Sequence, residues 1–305
     1  MGWWTLSSVC SMPPAGRAAT HLFAAVLSLA GCAVQTTNAQ PADDELARVV
    51  ERASAYVTAF ERDAHAIIWN ERYDQVDRLP LVFGASGSRF TRVNRRSLTS
   101  EMLFIWVDGN ATSLTVRDVI TVDSRPVVRR LPGLLKSQNI KLQNLRTLSD
   151  ENGRYNIGRI SRNFNEPTLA LLFLDPRYQA RFEFTDGGMD DIQGRAVRRV
   201  QFTEIASPTV IRTLNRDAWT SGTLWVDPAD GRVFRTELSV IQDLNNTWGD
   251  IIVTFGPNPR FSILVPVAMT ETYGFPRSKP NEIITGTAQY SDFRRFETAG
   301  RLILP

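Results

Sequence analysis

The sequence has 305 residues, of which 43% are apolar and 22% are charged, so it can bury the core of one large or two small globular domains. The formal charge is +3, and the basic residues are nearly all arginine, because Lys136, Lys141 and Lys279 are the only lysines. These arginines are spread along the chain among 32 acidic residues, which is unlike the clustered basic footprint of a nucleic-acid-binding protein. We therefore predict no nucleic-acid partner.

The first 39 residues are predicted to be an export leader. Residues 22–34 carry no charge, and Arg17 is the only charged residue in residues 1–39. A membrane-spanning helix needs about 20 apolar residues, so this run is too short to be a stable anchor. It is typical of the apolar core of a signal peptide, which predicts an exported, periplasmic protein.

Two processing sites are compatible with this leader. Leu29-Ala30-Gly31-Cys32 resembles a bacterial lipobox, in which case residues 1–31 are removed and Cys32 is lipidated. Thr37-Asn38-Ala39 resembles an ordinary signal-peptidase site, in which case residues 1–39 are removed. Lipid on Cys32 would tether the protein to the outer membrane, and we predict no other contact of the chain with a membrane.

The residue types that most often carry catalysis are scarce after the leader. Cys10, Cys32 and His21 lie in the leader, so His65 is the one histidine that remains and no cysteine follows Ala39. No metal-ligand, nucleophile-elbow or phosphate-loop motif is present. We predict a protein that is not an enzyme, with no catalytic residue, no metal and no cofactor.

The predicted elements begin with a linker at residues 40–43, followed by a single domain over residues 44–305. Apolar residues at helical spacing, from Leu46 to Phe60, predict an amphipathic helix at about residues 43–64. Residues rich in β-branched and aromatic types predict strands at 66–73, 97–107 and 113–122. A second helix is predicted at residues 132–143.

A short apolar segment then stands between turn residues. Asn165 and Pro167 are suited to begin a helix and Pro176 to end it. The residues between, 168–174, are apolar on every side of a helix, so they must be buried all round. This pattern predicts a plug that inserts into a concave surface. Residues 165–166 and 175–176 are predicted to act as hinges that allow the plug to be displaced.

Antiparallel strands follow, predicted at residues 177–185, 196–204, 222–226, 232–242, 250–255, 261–273 and 282–293. Their alternation gives the sheet one apolar face. The residues predicted to point to that face are Phe234, Leu238, Val240, Ile251, Val253, Phe255, Ile263, Val265, Val267 and Met269.

Two acidic stretches could be mistaken for cation sites. Asp227-Pro228-Ala229-Asp230-Gly231 lies between two alternating strands, where Pro228 favours a turn and Gly231 suits the left-handed position that closes it. The spacing of a calcium-binding loop is missing, so a hairpin is predicted. Residues 186–191, DGGMDD, are likewise predicted to be a solvated turn.

Three stretches of the C-terminal half carry a resemblance to a known family. "GTLWVDPADGRVFRTEL", "ILVPVAMTETY" and "ITGTAQYSDFRRF" resemble the W-x-D-P-x-T-G hairpin, V-P-x-x-M strand and closing Y-x-x-F strand of the LolA/LolB-like lipoprotein carrier superfamily. Asp230 replaces the usual threonine of the hairpin. The block from Arg154 to Leu174 also resembles a block of secreted proteins from Acidobacteria-type genomes, which implies no function.

The resemblance to the carriers implies an α+β fold, a curved antiparallel sheet or half-barrel whose concave face is covered by helices. It also implies a cavity for the acyl chains of a lipid or lipoprotein. The lipid-binding candidates are then the ten face residues above together with Leu169, Leu172 and Phe173. The alternative is an envelope interaction or sensor module, in which Arg294 and Arg295 beside Phe293 and Phe296 contact a protein partner.

Overall fold

A computed structural model of the protein describes residues 4–6, 40–65, 67–83, 88–107, 112–128, 153–160, 162, 164–213, 216–242, 247–275 and 282–295. Cys32, Phe296 and the helix predicted at 132–143 lie outside the described residues.

The long predicted helix is present and begins slightly earlier than expected. Helix α1 spans Gln40–Ala64, so residues 40–43 form its first turn instead of a linker. Its apolar stripe is buried as predicted, with Val49, Ala53, Val57 and Phe60 all at most 3% exposed. Tyr56 of α1 accepts a hydrogen bond from the backbone N–H of Leu264, at 3.1 Å, which joins the helix to the sheet.

Most of the described chain is β-structure. The strands are β1 (Trp4–Leu6), β2 (Ile67–Phe83), β3 (Ser88–Val107), β4 (Thr112–Val122), β5 (Arg125–Pro126), β6 (Phe182–Ile192), β7 (Arg195–Glu204), β8 (Ile211–Thr213), β9 (Arg216–Val226), β10 (Val233–Gln242), β11 (Thr247–Asn258), β12 (Phe261–Gly274) and β13 (Ile283–Arg295).

These thirteen strands of the described residues join one antiparallel sheet. Its main path runs β6-β7-β9-β10-β11-β12-β13-β2-β3-β4-β5, with β8 beside β9. The path is curved, and it does not close, because β6 pairs only with β7 and β5 only with β4 among the described strands. A large antiparallel sheet with few helices is therefore confirmed as the fold class.

The strand β1 comes from the predicted leader. It pairs with β8 through Trp4–Thr213, Thr5–Arg212 and Leu6–Ile211. If the leader is removed on export, as the sequence predicts, the exported protein lacks this strand and the other twelve remain.

The hairpin predicted at residues 227–231 is confirmed. Asp227 and Arg232 join the ends of β9 and β10, with the Asp227 N–H donating to the Arg232 carbonyl at 2.8 Å. The Asp227 carboxylate accepts from the backbone N–H of Ala229 at 2.9 Å, and Gly231 has a φ of +77°. Asp227 therefore serves the turn itself.

The turn predicted at residues 186–191 is wrong. These residues belong to β6, which has a bulge between Asp186 and Met189. The chain reverses later, at Gln193-Gly194, where φ is +55° and +81° at the two residues between the paired ends of β6 and β7. Two positive φ values in a two-residue loop match the twist of a hairpin, so this is where the turn forms.

Eight of the ten predicted face residues are buried, and two β-bulges displace the others. Pro266, and not Val267, lies opposite Phe255, so Val267 is the extra residue of a bulge and is 48% exposed. In β10 the register shifts between Val233 and Arg235, so that Val233 is fully buried and Phe234 only partly. The eight buried residues are Leu238, Val240, Ile251, Val253, Phe255, Ile263, Val265 and Met269.

Candidate functional site

The apolar interior is continuous from the sheet to the segment predicted to be a plug. Leu169–Leu174 form a 3₁₀ helix in which all six residues are buried. The ring of Phe173 stacks on Phe182, with centroids 4.5 Å apart, and lies 5.2 Å from that of Phe202. The lipid-binding candidates Leu169, Leu172 and Phe173 therefore lie in the same core as Leu238 and Val253.

A group of charged and polar residues is buried beside this core. Arg117 of β4 donates to both carboxylate oxygens of Glu71 on β2, at 2.6 and 2.9 Å, and both side chains are at most 1% exposed. Burial lowers the pKa of Arg117, but the ion pair with Glu71 outweighs this effect and raises the pKa above its usual range. The guanidinium also lies over the ring of Tyr73, 5.0 Å from its centroid.

A second arginine extends the group. Arg162 is 0% exposed; its Nε lies 3.7 Å from Glu271 Oε1, and a terminal nitrogen donates to the Gln75 side chain at 2.5 Å. The Tyr73 hydroxyl donates to the same Glu271 carboxylate. We name Glu71, Tyr73, Gln75, Arg117, Arg162, Asn165 and Glu271 the buried ion cluster.

The buried ion cluster holds the segment that precedes the 3₁₀ helix. Arg117 donates to the side-chain and backbone oxygens of Asn165, at 3.2 and 3.1 Å, and Asn165 donates to the Tyr73 hydroxyl at 3.1 Å. Asn165 therefore binds the cluster instead of capping a helix; the cap position is Thr168, whose side chain makes no capping hydrogen bond.

The segment that follows the 3₁₀ helix is held as firmly. Asp175 caps the one-turn helix α2 (Pro176–Gln179) by accepting from the Arg177 N–H at 2.7 Å. Arg177 pairs with both Asp175 and Glu61 of α1. Pro176 thus opens a helix, and the 3₁₀ helix ends before it as predicted, with Asp175 in an extended conformation. The hinges at 165–166 and 175–176 stay a prediction. Asn165, Glu166 and Asp175 are buried and hydrogen-bonded, so release of the 3₁₀ helix would have to break these contacts.

Glu166 is a buried carboxyl next to the cluster. Its Oε2 accepts from the Thr115 N–H at 2.8 Å. Burial raises its pKa to about 7, although the hydrogen bonds from Thr115 and the charge of Arg117 act in the opposite direction. The folded protein therefore keeps a proton on Glu166 at pH values where the unfolded chain has lost it.

This difference predicts a pH dependence of stability. A raised folded-state pKa means that the contribution of Glu166 is fully present below about pH 4.5 and is lost as the pH rises through 7. In the wild type, we expect Glu166 to lower the free energy of unfolding by about 3 kcal/mol as the pH rises over this range. In Glu166→Gln this part of the decline should be absent. Urea unfolding at several pH values measures it, with the exposed Glu183→Gln as control. An unchanged decline in Glu166→Gln would contradict the assignment.

A groove opens between α1 and the end strand β6. It has a volume of about 720 Å³. Small residues of α1, among them Ala47, Ser54 and Ala55, form one wall, and Phe182 and Phe184 of β6 form the other. Apart from Val50, the residues of α1 that line the groove lie outside the helix's apolar core stripe, and the small ones among them gave no apolar signal in the sequence.

Three of the lipid-binding candidates line a separate cavity. Phe234, Phe255 and Val267 border a space of about 530 Å³ beside β10, β11 and β12. Arg195 lies over the Phe234 ring, 5.0 Å from its centroid, and pairs with Asp227 at 3.0 Å. The structure therefore divides the sequence candidates between a closed core and this outer cavity, and includes none of them in the groove beside α1.

The structure describes three of the four terminal-strand residues that the alternative prediction names. Phe293 is 6% exposed and stacks on Trp69, with centroids 5.7 Å apart. Arg294 pairs with Glu101, and Arg295 lies over the Phe261 ring at 5.6 Å. Phe293 is thus part of the packed interior, whereas Arg294 is partly exposed and Arg295 is exposed, and their contact with a protein partner stays a prediction.

Among the described residues, no group of three or more His, Cys, Asp and Glu side chains is placed to hold a metal ion. His65 directly follows α1, and burial lowers its pKa. None of the helices in the described ranges is both long and apolar enough to cross a membrane.

No protein-family model and no curated protein matches the chain. The solved structures that match the chain include the following three. A DUF1329 family protein from Desulfovibrio piger has 11% identity and a TM-score of 0.38, with 85% of this chain and 95% of that one covered. An outer membrane lipoprotein-sorting protein domain from Vibrio parahaemolyticus has 10% identity and a TM-score of 0.34, with 85% of this chain and 95% of that one covered. The third is a LolA superfamily protein from Nitrosomonas europaea. It has 9% identity and a TM-score of 0.31, with 87% of this chain and 97% of that one covered.

The chain is similar to LolA superfamily proteins. The name of this match is that of the superfamily that the three C-terminal sequence stretches resemble. A likeness at this identity concerns the fold.

Proposed function

We propose that the protein is an exported envelope protein that binds the acyl chains of a lipid or of a lipidated partner, without catalysis. The observation that carries the proposal is the groove between α1 and β6. Its volume of about 720 Å³ is within the range of ligand pockets, and its walls combine aromatic and small side chains with few charges. In the proposed arrangement α1 and the 3₁₀ helix cover the concave face of the sheet, and the groove is its mouth.

An acyl chain could bind in the groove without displacing the 3₁₀ helix from the core. Val50 and Phe182 belong both to the groove and to the continuous core, at 9% and 6% exposure. A bound methylene chain would extend that core outward, and each buried CH₂ contributes about 0.8 kcal/mol. Hydrogen bonds from Arg117 to Asn165 hold the segment before the 3₁₀ helix, and the ion pair of Arg177 with Asp175 holds the segment after it. The groove is therefore a better site than the space that a displaced plug would leave.

Export and tethering belong to the same proposal. The leader predicts a periplasmic protein, and lipid on Cys32 would hold the groove close to the outer membrane. An exported binding protein of this kind needs an apolar surface that a ligand can reach from solvent, and it needs no nucleophile, general base or metal. The scarcity of histidine and cysteine after residue 39 supports a binding role.

Filling the groove should abolish acyl-chain binding. Ala55 of α1 is exposed and lines the groove, so Ala55→Trp places an indole where the ligand would lie. We expect the affinity for a fluorescent fatty acid, measured by titration of its emission, to fall at least 10-fold, because 1.4 kcal/mol of lost contact already gives that factor. Thermal unfolding should change little.

The matched control is Arg48→Trp, which adds the same ring at an exposed position of α1 that does not line the groove. It should bind the probe as the wild type does. Equal binding by Ala55→Trp would reject the groove as the site. A wild-type protein that binds no acyl probe but retains one protein partner on a pull-down would favour the interaction or sensor role instead.

A further inference from the structure

The β2–β3 hairpin extends beyond its neighbours in the sheet. β13 pairs with β2 only as far as Arg78, and β4 pairs with β3 only from Leu98. The five cross-strand pairs from Leu79–Arg92 to Phe83–Ser88 have no described strand on either side. At about 3.4 Å per residue they form a two-stranded projection on the order of 15 Å long. We name residues 78–83 and 88–96 the arginine ribbon.

The arginine ribbon is strongly basic although the whole chain is not. Residues 78–96 contain five arginines and no acidic residue. Arg89, Arg92 and Arg95 are exposed, and none of them forms an ion pair with a described carboxylate. Basic and acidic residues nearly balance over the whole chain, so the net charge does not reveal this local excess of arginine. The excess arises because residues 78–96 contain no acidic residue.

Large apolar side chains are exposed among these arginines. Phe90 is 52% exposed and Val93 is 39% exposed. Phe90 lies opposite Leu81 on one face of the ribbon, and Val93 lies opposite Arg78 on the other. Since side chains alternate along a strand, Arg89 and Arg95 share the face of Val93, and Arg92 shares that of Phe90. Each face therefore carries both arginine and an exposed apolar side chain.

We propose that the arginine ribbon docks the protein onto an anionic phospholipid surface. Guanidinium groups bind phosphate oxygens with two parallel hydrogen bonds, and apolar side chains beside them enter the boundary between headgroups and acyl chains. A projection with the same mixture on both faces can enter the headgroup layer tip first. This surface is separate from the groove beside α1, so the inference goes beyond the proposed function. It also departs from the sequence prediction that a lipid anchor is the one contact with a membrane.

The same features have a purely structural explanation. Charged residues and a proline, here Pro80, protect an exposed strand edge from pairing with another chain. Edge protection requires only charge, whereas membrane docking also requires anionic lipid and exposed apolar side chains. Vesicle binding distinguishes the two explanations.

The test is sedimentation of the exported protein with vesicles of phosphatidylcholine alone or mixed with phosphatidylglycerol, at low and high salt. We expect binding only to the anionic vesicles, weakened by salt. Replacing Arg89, Arg92 and Arg95 by glutamine should lower the partition coefficient roughly 100-fold, because each basic residue near such a surface contributes about fivefold. Phe90→Ser should lower binding several-fold and keep the salt dependence.

The matched control removes the same charge elsewhere. Arg48, Arg199 and Arg216 are exposed and lie outside the ribbon, and their replacement by glutamine should leave binding near the wild-type level. Equal losses in both triple variants, unchanged binding in the ribbon variant, or binding to duplex DNA but not to vesicles would overturn the proposal. A lipid anchor on Cys32 would bind both vesicle types alike, so the difference between them is the readout.

The two proposals fail separately. The ribbon variant should keep its affinity for the fluorescent fatty acid, because the ribbon does not line the groove. Ala55→Trp should keep its binding to anionic vesicles. The groove proposal is wrong if Ala55→Trp keeps its affinity for the fatty acid, and the ribbon proposal is wrong if the ribbon variant keeps its binding to anionic vesicles.

Discussion

Replacing Arg117 with methionine is expected to lower the free energy of unfolding by about 3–5 kcal/mol, because it leaves the carboxylate of Glu71 buried and without its partner. The loss includes the hydrogen bonds to Asn165, so the segment before the 3₁₀ helix should loosen as well. Denaturant unfolding followed by tryptophan fluorescence measures the first effect, and limited proteolysis between residues 153 and 169 measures the second.

Arg72→Met is the matched control for this prediction. Arg72 follows Glu71 on β2 and points to the opposite face, where its pair with Asp74 is exposed and contributes less than about 1 kcal/mol. The double variant Glu71→Leu with Arg117→Met should recover much of the loss, since removing both charges leaves neither one buried alone. A single variant as stable as the control would mean that Glu71 and Arg117 are hydrated in solution.

Val253→Asp is expected to lower the free energy of unfolding by several kcal/mol. Val253 is 2% exposed and its cross-strand neighbours Met269 and Thr236 are 1% exposed, so the new carboxylate would have no water and no cationic partner beside it. Denaturant unfolding at neutral pH measures the loss, which should shrink at low pH where the carboxyl is protonated.

The control for this variant is the next residue of the same strand. Thr254 is exposed and lies opposite Arg235, so Thr254→Asp should change the free energy of unfolding by less than about 0.5 kcal/mol. Ser239 is unsuitable for the purpose, because it lies opposite Asp250 and a second carboxylate there would add repulsion. Similar losses from Val253→Asp and Thr254→Asp would mean that the register of β11 differs from the one described.

Features that depend on a residue's neighbours along the chain could be predicted from the sequence. The buried stripe of α1 follows from helical spacing, and the strands from β9 to β13 follow from alternation, with bounds that differ by a few residues. The turn at 227–231 was predictable because Pro228 and Gly231 restrict the backbone locally. The full burial of Leu169–Leu174 was predictable because no side of that helix is polar.

Features that depend on what lies across the sheet or above it were decided by the tertiary structure. The bulges at Phe234 and Val267 arise where two strands change register, and neither strand's own sequence records the change. The acidic stretch 186–191 becomes a strand because β7 supplies partners for it. The groove residues were missed because small side chains on α1 become a wall only when β6 lies beside them.

The buried ion cluster shows the same distinction at the candidate site. Glu71, Tyr73 and Gln75 alternate along β2 toward the interior, so a polar inward face was visible in the sequence as a departure from the apolar pattern. The sequence could not assign Arg117 and Arg162 as partners, since they come from separate parts of the chain. Charge and polarity are local properties and are determined by the sequence, whereas the pairing that makes a buried charge stable requires groups that only the folded chain brings within hydrogen-bond distance.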